Sequence, residues 1–170
     1  MFVDTLTSIH TIISLLALAL GPIAILGFFG VRIPRFVTGL FLFLAFLTSA
    51  TGFLFFPFNV VLPSHITGGI ALVILAGVAY ARYVAHLRGI WRGVYVSGVV
   101  ASEFLLVFVG VAQAFGKVPA LQPLAPTQSE PPFAIAQTVV LVIFVLIGFL
   151  AVRGWRPEMM SPLGPRPTAG

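Results

Sequence analysis

Five runs of about twenty apolar residues, each closed by Pro, Gly or Arg, leave this chain few ways to fold. Wound at ~1.5 Å per residue, such a run matches the ~30 Å hydrocarbon core of a bilayer. In hydrocarbon every backbone N–H and C=O needs a partner inside the protein, and an α-helix supplies them within one segment. The expected fold is therefore all-α: an integral membrane bundle of five transmembrane helices near 6–29, 36–57, 65–86, 92–116 and 132–153. These form a single transmembrane domain over 1–156, with a flexible cytoplasmic tail at 157–170 whose apolar content is too sparse to fold.

Composition excludes the other classes. The chain is 59% hydrophobic and 8% charged, against ~25% charged residues in soluble domains. Without cysteine there are no disulfides, thiolate metal sites or c-type haem attachment. The net charge of +5 does not point to nucleic acid, because the bases are dispersed rather than clustered. The first apolar run carries Asp4 and has no Lys or Arg ahead of it, so it lacks the basic start of a signal peptide and is expected to stay uncleaved.

The bases have a better explanation in topology. Arg32 and Arg35 fall between helices 1 and 2, Arg82, Arg88 and Arg92 around the turn from helix 3 to helix 4, and Arg153, Arg156 and Arg166 at or after the end of helix 5. That places eight of nine bases on one side and leaves Lys117 on the other. The positive-inside rule then puts the N-terminus outside and the C-terminus in the cytoplasm. Of the outer connections, Pro57–Ser64 is short and uncharged, while the link at 118–132 is Pro-rich and stiff, an ordered lid carrying Gln128 and Glu130 beside Lys117. Thr127 or Ser129 is expected to cap helix 5 ahead of Pro131 and Pro132.

Glu103 stands near the middle of the longest run, roughly 17 Å from Arg92 along a helix. An ionisable group at that depth costs ~2.5–3.5 kcal/mol on insertion scales, so it should face other helices and be protonated, paired or hydrated. At 100° per residue His10, Ser14, Ala17 and Gly21 fall on one small, polar edge of helix 1. Gly93, Ser97 and Ala101 make a small ridge on helix 4 suited to close helix contact. Under the assigned topology His10, His65, Gln113 and Gln137 occupy the outer half, with Glu103 beneath them and Lys117, Gln128 and Glu130 above. This predicts an outward-facing polar pocket over an inner half closed by apolar packing and snorkelling arginines. Each residue also has a plainer reading: an interfacial hydrogen bond for His10, loop capping for His65, and a structural hydrogen bond for Glu103.

Several segments carry a resemblance. They are Thr51-Gly52-Phe53-Leu54-Phe55-Phe56-Pro57-Phe58, Pro63-Ser64-His65, the ARYVAHL run at 81–87, and Val111–Leu121 followed by Leu124–Phe133. Together they resemble a family of uncharacterised bacterial polytopic inner-membrane proteins. The resemblance implies a bacterial inner (cytoplasmic) membrane and the same helix plan, and brings no activity with it. Glu103 lies outside these motifs.

No nucleophile–base pair, metal triad or phosphate-cradling loop is visible, which argues against an enzyme and leaves no metal ligands to name. The leading expectation is a non-catalytic binding or accessory protein whose pocket, lined by His10, His65, Glu103, Gln113 and Gln137, holds a small amphipathic ligand, a lipid or a partner's helix. Two alternatives stay open. His10 and His65 could ligate a b-type haem or hydrogen-bond a quinone in a redox protein. Glu103 could titrate in a small proton-coupled transporter, with a histidine as relay. Expected partners are the lipid bilayer and another membrane subunit or a second copy of the chain, with no nucleic acid.

Overall fold

The computed structural model describes residues 2–53 and 63–155. Within them five helices form the bundle: α1 (Phe2–Leu26), α2 (Arg35–Gly52), α3 (Pro63–Ala79), α4 (Trp91–Lys117) and α5 (Pro131–Gly154). All five contain a stretch long and apolar enough to cross a membrane, and no strand occurs among the described residues. The expected last residues of helix 2, most of the Pro57–Ser64 connection and the tail at 157–170 lie outside the described residues.

Side-chain contacts fix the ends of the bundle. At one end Phe28, just past α1, meets Tyr95 of α4 edge-on with ring centroids 6.1 Å apart, and Trp155, just past α5, at 5.3 Å. Tyr95 and Trp155 stack at 5.7 Å, Arg92 donates to the Trp155 carbonyl, and the Arg82 guanidinium sits 5.6 Å above the Tyr95 ring. Each aromatic pair adds ~0.5–1.5 kcal/mol beyond its buried area. At the other end His10 of α1 meets Thr51 of α2, and His65 of α3 stacks on Phe53 at 5.7 Å. Arg32, Arg35, Arg82, Arg88, Arg92 and Arg153 thus belong to one end of the bundle and Lys117 to the other, as the loop charges require.

The core runs along α4, whose Val96, Val99 and Val100 are buried against Ala24 and Ile25 of α1, Phe41 and Ala45 of α2, and Leu75 and Val78 of α3. Gly98 permits close approach of α3 to α4: a β-carbon there would lie 2.3 Å from Val78 Cγ2. In contrast α5 turns most of its apolar surface outward, with Val139, Val142, Leu146 and Leu150 all exposed.

Helix α3 does not run on to residue 86 as the apolar pattern suggests. It passes into a π turn over Tyr80–Val84, where Ala85 N–H reaches the Tyr80 carbonyl at 2.9 Å. Leu87 N–H then bonds the Ala81 carbonyl at 2.9 Å, with His86 and Leu87 both at positive φ, so a left-handed cap replaces the expected last turn. Neither residue is glycine, and the left-handed conformation costs roughly 1–2 kcal/mol at each.

A cavity at the arginine end and the candidate functional site

Helices α2 and α3 are spread apart at the arginine end. Arg35, Thr38, Gly39, Leu42 and Phe46 recur at helical spacing along one face of α2, and Leu72, Leu75, Ala76, Ala79 and Tyr83 do the same on α3 and its π turn. The two faces line a half-open cavity of ≈ 940 Å³, floored by Ala24, Gly27 and Phe28 and flanked by Tyr95 and Trp155. That is near the top of the ~300–1,000 Å³ range of ligand pockets. Small residues cause it: Gly39, Ala76 and Ala79 stand where Leu or Phe would close the gap. The arginine end, expected from the sequence to be closed by apolar packing, therefore carries a cavity.

The cavity has one charged end. Arg35 opens α2 and Arg82 sits in the π turn, and among the described residues no acidic one lines the walls. Arg35 is exposed and makes no hydrogen bond or ion pair with any described residue. Arg82 is half-buried over the Tyr95 ring, and Tyr83 is 74% exposed at the mouth. The π turn matters here because an extra residue in a turn rotates the side chains after it, and such turns recur at functional sites. Arg35, Arg82, Tyr83 and Tyr95 were all passed over as site residues in the sequence. The available signal was Arg35 and Thr38 sharing a face with Gly39, on a helix with no other cation.

None of His10, His65, Glu103, Gln113 and Gln137 lines this cavity. Thr51 donates its hydroxyl to the Leu47 carbonyl at 2.6 Å, so at the 2.8 Å contact with His10 the proton belongs to His10 Nδ1. His65 lies flat against Phe53. Gln113 is exposed on α4. Gln137 is buried and donates to the Phe108 carbonyl at 3.0 Å, tying α5 to α4. Glu103 is 1% exposed and faces α1, with neither carboxyl oxygen hydrogen-bonded. Among the described residues no group of three or more His, Cys, Asp or Glu is placed to hold a metal.

The lid is ordered by its own hydrogen bonds. Gln128, at φ +59°, reaches the Ala112 carbonyl with Nε2 at 2.8 Å, one turn above the Gln137 contact. Lys117 is exposed at the end of α4. Neither Thr127 nor Ser129 caps α5; Glu130 is the N-cap residue and its backbone carbonyl accepts from Phe133 N–H at 3.1 Å. With proline at the first two helical positions there are few N–H groups for a side chain to satisfy. The hydroxyls and N–H groups turn instead to the Glu130 carboxylate, which accepts from Thr127 Oγ1 at 2.8 Å and Ser129 N–H at 3.1 Å. Partial loss of water works against the charge, but hydrogen bonds from the Thr127 hydroxyl and from the backbone of Glu130, Thr127 and Ser129 outweigh it. Together they hold the carboxyl below the usual glutamate range. A lowered folded value means stability that is present above the ordinary glutamate pKa and lost as pH falls through the folded one. Protection of the Thr127 and Ser129 amides, taken relative to the intrinsic exchange rate at each pH, should accordingly be high at neutral pH and lost in acid, while E130Q should lack it at both. Equal protection of the wild-type lid across that range would show that the carboxylate does not order it.

No protein-family model, curated protein or solved structure matches this chain. What the protein can do has to follow from its geometry.

Proposed function

We propose that this chain is a multi-pass membrane protein, its arginine end in the cytoplasm, that binds an anionic phospholipid of that leaflet without catalysis. The acyl chain lies in the cavity between α2 and α3, and the headgroup phosphate meets Arg35 and Arg82 at the mouth. Membrane insertion is supported by the outward-facing Ile12, Leu15, Leu16, Val73 and Leu146, which water would penalise and lipid tails accommodate. One observation carries the binding reading: an apolar cavity whose charged residues are two guanidiniums at one end. Arg is the side chain best matched to phosphate, through its planar fork of donors. A partner's helix would fill the walls but would leave the two cations unanswered unless it brought an acid.

The test is retention from vesicles of equal parts phosphatidylglycerol and phosphatidylcholine. The protein is reconstituted, re-extracted in mild detergent and examined by native mass spectrometry. Retention of a single phosphatidylglycerol in preference to phosphatidylcholine is expected. Equal retention of the two, or a chain that emerges bare, would remove the proposal, and a second protein copy in its place would favour an interface.

A further inference from the structure

Glu103 takes no part in the cavity, and its surroundings are unusual. It is 1% exposed at the centre of α4, and its carboxyl oxygens have no hydrogen-bond partner. The carboxyl lies against the backbone of α1 at Gly21: a β-carbon there would fall 1.9 Å from Glu103 Oε2. The next residue is Pro22, inside α1. Proline has no N–H, so the Leu18 carbonyl, which a donor at position 22 would reach, is left without its ladder bond. Leu18 also faces α4, its Cδ2 4.0 Å from a β-carbon built at Gly110. An acid without a donor partner and a turn without a donor therefore meet at the same level of the α1–α4 interface.

Among the described residues no charge stands nearby to hold an ionised carboxylate. Along α4 the nearest titratable groups, Tyr95 and Lys117, are about 12 and 21 Å away, and on α1 His10 is roughly 17 Å from Gly21. Arg35 of α2, Arg82 of α3 and Arg153 of α5 belong to the arginine end, and His65 of α3 to the other. A bare carboxylate in such a place costs several kcal/mol, whereas a neutral carboxylic acid carries the donor that the α1 turn lacks.

We infer that Glu103 is a proton-binding site of the bundle: its carboxylic acid donates to the α1 turn that Pro22 deprives of a donor, and the proton leaves only when α1 and α4 part at Gly21. The contact is a proton-held latch between two helices, one turn from the Ala24–Phe28 floor of the cavity. This does not depend on lipid binding.

Infrared spectroscopy of the reconstituted protein tests it. At neutral pH a protonated-carboxyl C=O band is expected in the wild type, shifting only slowly in deuterated buffer and missing in E103Q. Thermal unfolding of two variants separates a donor from a space-filler. The Gln amide of E103Q still donates and should hold the wild-type Tm, while E103L, which cannot, should fall by roughly 2–4 °C. A spectrum showing only ionised carboxylate, a band that shifts at once in deuterated buffer, or an E103Q that falls as far as E103L would overturn the inference. The wild-type exchange rate decides the matter even if neither variant is recovered.

Discussion

Replacing Arg35 and Arg82 together with Gln is expected to lower phosphatidylglycerol retention by about 10- to 100-fold and phosphatidylcholine retention by less, because the choline cation already offsets its phosphate charge. The size follows from the chemistry: a hydrogen bond to a charged group is worth ~1.5–3 kcal/mol, and the neutral Gln amide keeps about half of each. The two losses of roughly 0.7–1.4 kcal/mol add, at about 1.4 kcal/mol per factor of ten in affinity. The single variants should differ. Arg35 has no partner among the described residues, so R35Q removes a headgroup contact and little else. Arg82 also sits over the Tyr95 ring, and R82Q should lose a further ~0.5–1 kcal/mol of stability with that contact. Exposed Arg88 is not among the cavity residues, and R88Q serves as the control for bulk charge. Raising the salt should weaken retention by the wild type more than by the double variant, because screening acts on the charges that the variant lacks. If R88Q lowers retention as much as R35Q, the guanidiniums recruit lipid to the surface without defining a site.

The second large effect is expected at Gly21. Alanine there places a methyl carbon 1.9 Å from Glu103 Oε2, 2.3 Å from Cδ and 2.9 Å from Cγ, too close for any rotamer adjustment of the methyl itself. Either the carboxyl moves or α1 and α4 separate, and overpacking of this kind costs ~1–3 kcal/mol. In a chain of this size that is a fall in Tm of roughly 2–12 °C. Two comparisons identify the cause. G21A combined with E103A should recover much of the loss, since the atoms that the methyl meets are gone. G69A, in open space on α3, should be neutral or slightly stabilising, as alanine is the better helix former. A G21A protein as stable as the wild type would mean that the carboxyl does not press on α1.

Much of the architecture was legible in the residues because bilayer geometry is so restrictive. Helix number follows from apolar run length, and the grouping of six described arginines at one end follows from five alternating helices with short turns. The buried edge of α1, from His10 through Ser14 and Ala17 to Gly21, was legible from spacing alone, since 100° per residue fixes which side chains share a face. The π turn at Tyr80–Val84 left no mark on the apolar pattern, because hydropathy does not register a change from i+4 to i+5 hydrogen bonding. The expected cap at Thr127 went to the Glu130 carboxylate and the Ser129 hydroxyl to Thr127 Oγ1, since the two prolines removed the donors that a cap serves.

The location of the site was the least legible feature. Depth arguments gathered His10, His65, Gln113 and Gln137 into one half of the bundle with Glu103 beneath them, yet depth says nothing about rotation. Gln113 faces out, Gln137 bonds the α4 backbone and Glu103 presses on Gly21, each according to how its helix is turned. A void is still less visible, because it is defined by the side chains that fail to meet: Gly39 opposite Ala76 and Ala79 leaves space only if α2 and α3 bring those faces together. The residues by themselves determined the number of apolar helices and the end that carries the arginines, since those depend on sums over a segment. Tertiary structure alone decided which faces pack, where the bundle stays open and what Glu103 touches, since those depend on the mutual rotation of helices that share no local signal.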